Sequence, residues 1–135
     1  MSLLKENISF VVVCYKSSLA LKSLLLSIPK ESEVILVDNS QDKETEEIAN
    51  LYDCILIQNQ ENLGYGAACN IGSKKASGNY LFLINPDSKL MPETLNELIK
   101  AVNNYPEASA FNPKIIDQFG KQNFKRRSVL LPKSE

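Results

Sequence analysis

Residues 81–87, with the sequence LFLINPD, place four apolar residues directly before Asn85-Pro86-Asp87. The apolar run is short and continuous, as in a strand that is buried on both faces of a sheet. Asn-Pro-Asp is typical of a turn with proline at its second position. Alternatively, the strand holds the Asp87 carboxylate at the edge of a sheet to meet a charged ligand. These residues alone leave both interpretations open.

Strands and helices alternate along the rest of the chain. Short apolar runs predict strands at residues 8–14, 34–37, 54–57 and 80–84. Apolar residues at helical spacing predict a helix after each of them: one capped by Ser17 or Ser18 and ended by Pro29, one at residues 44–52, one at residues 64–77, and one with Pro92 in its first turn. This alternation predicts parallel pairing with right-handed crossovers, and so a doubly wound, mostly parallel α/β sheet.

Several local features of this fold are also predicted. Ile48, Leu51 and Tyr52 should lie on the inner face of the second helix, and Gly78 should occupy the glycine position after the third. Short strands are expected at residues 108–111 and 114–116, followed by a turn at 117–120 and an antiparallel return through Phe124. The ends, residues 1–6 and 131–135, are expected to be loose.

The composition limits the chemistry. The 135 residues are 44% hydrophobic and 23% charged, as in one ordinary globular domain, and the net charge of −1 gives no general attraction to nucleic acid. The apolar runs are too short to span a bilayer. Histidine is absent from the sequence, which excludes Ser-His triads, Cys-His dyads and most zinc sites. Cys14, Cys54 and Cys69 lack metal-ligand spacing and are predicted to be buried thiols in a reducing cytoplasm.

Polar residues follow every predicted strand: Cys14-Tyr15-Lys16, Asp38-Asn39-Ser40, Gln58-Asn59 and Asn85-Pro86-Asp87. In an open parallel sheet, ligands bind beyond the carboxyl ends of the strands, where the strand order reverses. Asp38 suits a hydroxyl or amide N–H of a ligand, and Asp38 or Ser40 is also a candidate cap for the next helix, a role compatible with the first. Asp87 suits a divalent cation that takes its other oxygen ligands from water and phosphate.

Two further stretches have a structural and a functional interpretation. Gly64-Tyr65-Gly66 precedes a predicted helix and is similar to a phosphate-binding turn, but Cys69 breaks the dinucleotide motif and no Gly-Lys-Ser/Thr follows. Spacing alone predicts that Asn70 is a partly buried amide bonded to the backbone. The basic cluster is expected to be solvated surface, with a diphosphate or a lipid phosphate as the alternative partner. It consists of Lys121, Lys125, Arg126 and Arg127.

Three stretches taken together resemble a known family. They are FVVVCYKS at residues 10–17, VILVDNS at 34–40 and NLGYGAACNIGSKKASGNYLFLINPD at 62–87. In this order they resemble the inverting family 2 glycosyltransferases of the GT-A fold. The repeat of Asn-x-Gly between Asn62 and Gly72, ended by Asn-Pro-Asp, is most similar to the bacterial rhamnosyltransferase-type subgroup. The resemblance covers about residues 8–127.

The resemblance implies a site for a nucleotide-diphospho-sugar, such as a dTDP- or UDP-sugar, with Mg²⁺ or Mn²⁺. Asn85-Pro86-Asp87 takes the place of the DXD motif, with Asp87 as the metal ligand and Asn85 where an aspartate is usual. Asp38 is implied to contact the base or ribose. The remaining donor-binding residues that the resemblance implies are Val13, Cys14 and Tyr15 around the base, and Asn62, Gly64 and Asn70 over the nucleotide.

The resemblance also implies a general base, a carboxylate well downstream of Asp87. Glu93, Glu97 and Glu107 lie on or beside a predicted helix and do not fit that role, so no catalytic residue is expected within the chain. We therefore expect residues 1–135 to be one nucleotide-sugar-binding domain, a fragment of a larger cytoplasmic enzyme of cell-surface polysaccharide synthesis. The parent enzyme could also lie at the inner face of the membrane. The fragment should bind donor without transferring the sugar to a glycan or lipid-linked acceptor.

Three other classes of protein share parts of this pattern. A phosphoacceptor receiver domain is also doubly wound, but it needs an acidic pair where this chain has Tyr15-Lys16. A sugar-nucleotide nucleotidyltransferase needs a glycine-rich basic loop after the first strand, where residues 14–17 are CYKS. A non-catalytic nucleotide-binding or assembly module on the glycosyltransferase fold stays open as the alternative function.

Overall fold

The computed structural model describes residues 7–122 and 129–132 of the chain. Within them the strands are β1 Ile8–Cys14, β2 Glu33–Asp38, β3 Ile55–Gln58, β4 Tyr80–Leu83 and β5 Val129–Pro132. The helices are α1 Ser18–Ser27, α2 Lys43–Leu51, α3 Tyr65–Lys75 and α4 Thr94–Asn104. The predicted alternation of four strands and four helices is confirmed: the bounds of β1 are as predicted, and the ends of the other predicted ranges move by no more than two residues.

The strands form one sheet with the order β3-β2-β1-β4-β5. β1 pairs in parallel with both β2 and β4, β2 pairs in parallel with β3, and β5 joins β4 in the antiparallel sense. The first two crossover connections lead outward from β1 through β2 to β3. The third returns to β4, on the other side of β1. The strand order therefore reverses at β1, and the doubly wound, mostly parallel sheet is confirmed.

Helices cover both faces of the sheet, which explains why the central strands are continuous apolar runs. Phe10, Val12 and Cys14 of β1 belong to the core that also includes residues of α1, α2 and α4. Val11 belongs to the opposite core, beneath α3. The rings of Phe10 and Phe82 stack with centroids 5.3 Å apart and hold β1 against β4 at a paired position. Successive residues of β1 thus alternate between the two cores.

Gly72 allows α3 to approach the sheet closely. A Cβ atom at this position would lie 2.5 Å from Cγ1 of Val11 and 3.0 Å from Cγ2 of Val37. The absence of a side chain at Gly72 is therefore what lets α3 pack this closely on the sheet. The prediction for Gly78 is wrong, because α3 ends at a C-cap on Ala76 with an extended backbone. Gly78 instead passes close to β1, where its N–H donates to Oγ of the buried Ser9 at 2.8 Å.

Several other predictions are corrected. Leu51 is exposed, because the inner face of α2 consists of Thr45, Ile48 and Ala49. Pro92 precedes α4, which begins at Thr94. Cys54 is half-buried, whereas Cys14 and Cys69 are buried, and all three thiols are free.

The segment after α4 also differs from the prediction. Residues 108–111 and 114–116 do not form extended strands; Ile116 makes a single antiparallel bridge to Gln122 around the expected turn. Residues 131 and 132 are not loose, because they pair with β4 as part of β5. Phe124 lies outside the described residues. Within the part of the chain that the structure describes, no helix has the length and apolarity needed to cross a membrane.

We predict that Gly72→Ala destabilises the fold by about 1–3 kcal/mol, because the new methyl group overlaps Val11 and overpacks the interface between α3 and the sheet. Gly66→Ala is the matched control on the same helix, since a Cβ there meets nothing within 4 Å. The control should be neutral or gain up to about 1 kcal/mol from helix propensity. Urea unfolding followed by circular dichroism measures both; equal stabilities would contradict the packing role of Gly72.

Candidate active site

The ends of β1, β2, β3 and β4 lie along one edge of the sheet. Cys14 pairs with Asp38 and Asp38 pairs with Gln58, so three of these ends are level. On the other side of β1, the N–H of Ile84 donates to the carbonyl oxygen of Val11. Neighbouring strands lie ~4.8 Å apart. The residues that follow the four strands therefore meet beside β1, where the strand order reverses and where open parallel sheets bind ligands.

Asp38 organises the loop between β2 and α2. Its side chain is fully buried, with 0% exposure. Oδ1 accepts from the backbone N–H and the hydroxyl of Ser40 at 2.9 and 2.7 Å, and Oδ2 accepts from the N–H of Asp42 at 2.8 Å. The carboxylate thus closes the loop on itself. In this conformation both carboxylate oxygens bond to the loop that they shape.

The N-cap of α2 is Asp42, so the expectation that Asp38 or Ser40 caps this helix is wrong. Oδ1 of Asp42 accepts from the N–H of Glu44 at 3.2 Å, and Oδ2 accepts from the hydroxyl of the buried Thr45 at 3.1 Å. An aspartate at the N-cap followed by a glutamate in the first turn is typical of a helix start. Asp42 and Glu44 show this pattern in the sequence itself.

Two buried amides join the ends of β2 and β3. Nδ2 of Asn59 donates to Oδ1 of Asn39 at 2.7 Å, and Nδ2 of Asn39 donates to the carbonyl oxygen of Gly64 at 3.4 Å. Asn39 and Asn59 are 5% and 9% exposed. They lie among the polar strand ends in the sequence, but no local pattern predicts their pairing, because twenty positions separate them.

The loop after β1 is held against the loop after β2. Lys16 has φ 49°, and its N–H donates to Oγ of Ser40 at 3.0 Å. Tyr15 is exposed, with Nζ of Lys16 5.6 Å from the centroid of its ring. A cavity of about 540 Å³ opens beside these residues and is also lined by Ser18 and Lys43. Ser40 therefore links the Asp38 carboxylate to the edge of this cavity.

The start of α3 depends on Asn62 and Gly64. Gly64 is the N-cap with φ 83°, a conformation that favours glycine, and its N–H donates to Oδ1 of Asn62 at 2.9 Å. Asn62, Gly64 and Asn70 are all exposed. The prediction of a partly buried Asn70 is wrong. The structure thus leaves the first turn of α3 and the Asn70 amide accessible.

Asn85-Pro86-Asp87 forms the expected turn, with proline at its second position. The N–H of Ser88 donates to the carbonyl oxygen of Asn85 at 3.0 Å. Asn85 is half-exposed and Asp87 is exposed. Residues 7–122 and 129–132 contain no group of three or more Asp, Glu, His or Cys placed to hold a metal ion. Oxygen atoms of Asp87 and Asn85 suit a hard cation, which would complete its coordination with phosphate and water.

The side chains at the end of β1 differ in burial, although the resemblance implies that Val13, Cys14 and Tyr15 all lie around the base. Val13 packs against the core beneath α3 and is half-buried, while Tyr15 is exposed. Cys14 is 0% exposed and lies in the opposite core. Burial first, then the charges of Asp38, Cys54 and Asp42, raise the pKa of the Cys14 thiol from 9.0 to about 12. Its side chain is therefore a neutral core group.

Comparison with protein families shows a match over nearly the whole chain. The family described as glycosyl transferase family 2 matches residues 9–134. The chain belongs to this family. The expectation of a family 2 glycosyltransferase is confirmed; the rhamnosyltransferase-type subgroup stays a prediction.

Curated proteins of this family are similar to part of the chain. The low-salt glycan biosynthesis hexosyltransferase Agl10 of Haloferax volcanii is 28% identical over 121 residues, which cover 85% of this chain and 38% of that protein. A poly-beta-1,6-N-acetyl-D-glucosamine synthase of Staphylococcus aureus is 29% identical over 120 residues, or 82% and 29% of the two chains. The family 2 domain described here thus spans about a third of the length of these relatives.

Solved structures share its fold. TarS 1–349 of S. aureus in complex with UDP-GlcNAc is 27% identical with a TM-score of 0.67, over 77% of this chain and 33% of that one. The mannosyltransferase PcManGT of Pyrobaculum calidifontis in complex with GDP-Man and Mn²⁺ has a TM-score of 0.68 at 19% identity, over 77% and 34%. The second likeness shows the fold alone. The GT-A fold of the family 2 domain is confirmed.

We predict that Asp38→Asn lowers the stability of the family 2 domain by about 2 kcal/mol, because one buried oxygen that accepts a backbone N–H becomes an NH₂ group. Asp53→Asn is the control, since Asp53 is exposed at the opposite edge of the sheet. Urea unfolding measures both variants. Equal stability of Asp38→Asn and the unmodified protein would contradict the loop-closing role.

Stability should fall as pH rises from about 9 toward about 12. The Cys14 thiol ionises near 9.0 when unfolded and near 12 when folded, so above pH 9 the unfolded state loses protons first and is favoured. Below pH 9 this contribution is fully present. Cys14→Ala should flatten the fall in urea midpoint between pH 8 and pH 11, whatever its effect on stability at pH 8. Parallel curves for the two proteins would contradict the burial of an ionisable thiol.

Proposed function

We propose that residues 1–135 form a single nucleotide-sugar-binding domain that takes a nucleotide-diphospho-sugar, a dTDP- or UDP-sugar, at the carboxyl edge of its sheet. The observation that carries this proposal is that the Asp38 loop and the Asn85-Pro86-Asp87 turn flank the end of β1, while the start of α3 is held against the Asp38 loop by the bond from Asn39 to Gly64. Family membership supports it, and so does the UDP-GlcNAc that the similar TarS structure holds.

The nucleoside would lie at the β1 and β2 ends of this edge. Tyr15 offers an exposed aromatic face, and Val13 an apolar surface beside it. Asp38 would hold the loop of residues 39–42 in the shape that receives the base or ribose, through the hydrogen bonds to Ser40 and Asp42. Cys14 would contribute through its backbone, since its carbonyl oxygen accepts the N–H of Asn39 and fixes the two loops together.

The diphosphate would lie between α3 and β4. The exposed N–H groups at the start of α3 carry the positive end of a helix dipole, and Gly64 lets the backbone approach a phosphate. Asn62 fixes this turn, and the accessible side-chain amide of Asn70 can donate a hydrogen bond to the nucleotide-sugar. Asp87, with Asn85, would hold Mg²⁺ or Mn²⁺. When bound, the metal offsets the charge that develops on the leaving diphosphate.

In the proposed reaction an acceptor hydroxyl attacks the anomeric carbon of the donor and inverts its configuration. The bond to the diphosphate breaks, and a carboxylate outside residues 1–135 takes the proton of the hydroxyl. The chain thus binds donor and does not by itself transfer it. The parent enzyme would be a cytoplasmic hexosyltransferase, rhamnosyl-specific by resemblance, that acts on a glycan or lipid-linked acceptor. It would work in cell-surface polysaccharide synthesis, free or at the inner face of the membrane.

The test is a thermal-shift panel with UDP, dTDP, GDP and ADP, each with and without Mn²⁺. We expect one diphosphate to raise the unfolding midpoint by several degrees, since a ligand at a hundred times its Kd adds ~2.7 kcal/mol, and we expect Mn²⁺ to enlarge that rise. A rise that Mn²⁺ does not change would favour the non-catalytic nucleotide-binding alternative. No rise with any diphosphate would contradict donor binding by this chain.

The Asp87→Asn variant tests the metal assignment within the same panel. Measured from the variant's own ligand-free midpoint, it should lose the part of the shift that depends on Mn²⁺. Asp53→Asn is the matched control, an exposed aspartate beyond the other edge of the sheet. An unchanged Mn²⁺ effect in Asp87→Asn would remove Asp87 from the site.

A further inference from the structure

Two residues beside the ends of β1 and β2 have a left-handed backbone although neither is glycine. They are Lys16 with φ 49° and Gln41 with φ 52°. A side chain makes this conformation unfavourable, so it persists where the surrounding structure holds it, and it is concentrated at functional sites. Both residues line the cavity of about 540 Å³ that opens at this edge of the sheet. The contacts that hold them therefore bear on the proposed nucleoside site.

The peptide group between Tyr15 and Lys16 is held at both ends by serine hydroxyls. Its carbonyl oxygen accepts from Oγ of Ser17 at 2.9 Å, and its N–H donates to Oγ of Ser40 at 3.0 Å. Oγ of Ser17 also accepts the N–H of Tyr15 at 3.0 Å. Ser17 lies next to this peptide in the chain, whereas Ser40 reaches it from the loop after β2. The orientation of the peptide thus depends on both loops.

Ser17 serves this peptide at the expense of its own helix. It is the N-cap of α1, yet its side chain makes no hydrogen bond to the first turn of that helix. A serine at this position usually accepts an N–H of the first turn and so stabilises the helix. Exceptions to such local rules are expected at functional sites. The loop after β1 is therefore shaped to fix Tyr15 and Lys16 and leaves α1 without a side-chain cap.

The buried carboxylate of Asp38 supports Ser40 from below. Its Oδ1 accepts both the hydroxyl and the N–H of Ser40, and its Oδ2 accepts the N–H of Asp42, so the residues on either side of Gln41 are fixed. Removal of the Ser40 hydroxyl would keep the two backbone bonds to Asp38 and would release only the N–H of Lys16. The link between the two loops can thus be broken while the loop after β2 stays closed.

The charges around the cavity are balanced. Lys16 and Lys43 line it together with Asp42 and Glu44. Both carboxylates have partners: Asp42 caps α2, and Oε2 of Glu44 accepts from the hydroxyl of Ser18 at 2.6 Å. The cavity therefore does not select a ligand by net charge. The exposed ring of Tyr15 beside it is a surface that can pack on a planar base, and its position decides how well it does so.

We propose, on the basis of the proposed function, that Ser40 is a positioning residue for the nucleoside of the donor. Its hydroxyl holds the peptide between Tyr15 and Lys16, keeps Lys16 left-handed and so presents Tyr15 to the base. Ser40 acts through Tyr15 and Lys16, and the diphosphate and the metal, which are proposed to lie between α3 and β4, do not depend on it.

Isothermal titration calorimetry of Ser40→Ala with the preferred nucleoside diphosphate and Mn²⁺ tests this role. Affinity should fall about three- to tenfold, as expected for one lost hydrogen bond that no longer keeps the loop in its binding conformation. Pyrophosphate with Mn²⁺, which lacks a nucleoside, should bind the variant and the unmodified chain equally. Ser23→Ala is the control, because Ser23 is exposed on α1 and does not line the cavity.

The possible results separate this inference from the proposed function. An unmodified chain that binds none of the nucleoside diphosphates contradicts the proposed function, and the inference that rests on it falls as well. An unmodified chain that binds one of them, with an unchanged affinity in Ser40→Ala, overturns the role of Ser40 alone. An equal loss of affinity for pyrophosphate also overturns it, because the hydroxyl would then support the whole site and not the nucleoside.

Two double variants test whether Ser40 acts through the backbone of Lys16. Asparagine adopts the left-handed conformation more readily than most residues, so Ser40→Ala with Lys16→Asn should recover most of the lost affinity. Ser40→Ala with Lys16→Gln removes the same ammonium group without favouring that conformation and should recover none. Lys16→Asn and Lys16→Gln with Ser40 intact give the effect of the lost charge. Equal affinities of the two double variants would overturn the proposal.

Discussion

The pairing of β1 with both β2 and β4 is the constraint on which the rest of the structure depends. Because β1 lies between two parallel neighbours, its side chains are buried on both faces and, apart from the hydrogen-bonded Ser9, are apolar, and helices cover both faces. The same pairing reverses the strand order and opens the crevice in which the loops after β1, β2 and β4 meet. The core and the site are thus two consequences of one strand's position.

Buried polar groups fix the loops that the sheet brings together. Asp38 closes the loop after β2, Ser40 ties it to Lys16, and the amides of Asn39 and Asn59 tie it to the loop before α3. None of the buried side-chain polar atoms among the described residues lacks a hydrogen-bond partner. Satisfied networks of this kind are rigid. A rigid edge leaves Tyr15, Asn62, Asn70 and Asp87 exposed in defined positions, where we propose that the nucleotide-sugar binds.

The sequence predicts the strands and helices well, because the spacing of apolar residues matches the buried positions in runs such as Ile8–Cys14. The candidate site residues come from their place after strands and from resemblance to a family, and they stay a prediction. The sequence does not separate their roles, since the burial of Asp38 and Cys14 and the exposure of Asn70 depend on contacts distant in sequence. The expectations of a helix-ending Gly78 and of loose residues 131 and 132 are wrong for the same reason. Gly78 bonds to Ser9 of β1, and residues 129–132 pair with β4.

The most direct test of the account is an amide NMR titration of the chain with its preferred nucleoside diphosphate and Mn²⁺. Paramagnetic Mn²⁺ broadens the amide resonances of nearby residues, so the broadened residues show where the ion binds without any substitution. We predict broadening centred on residues 85–88, weaker effects at the start of α3, and shifts from the nucleotide at Tyr15 and residues 39–42. Broadening centred on α4 or at the opposite edge of the sheet near Asp53 would contradict this position of the metal.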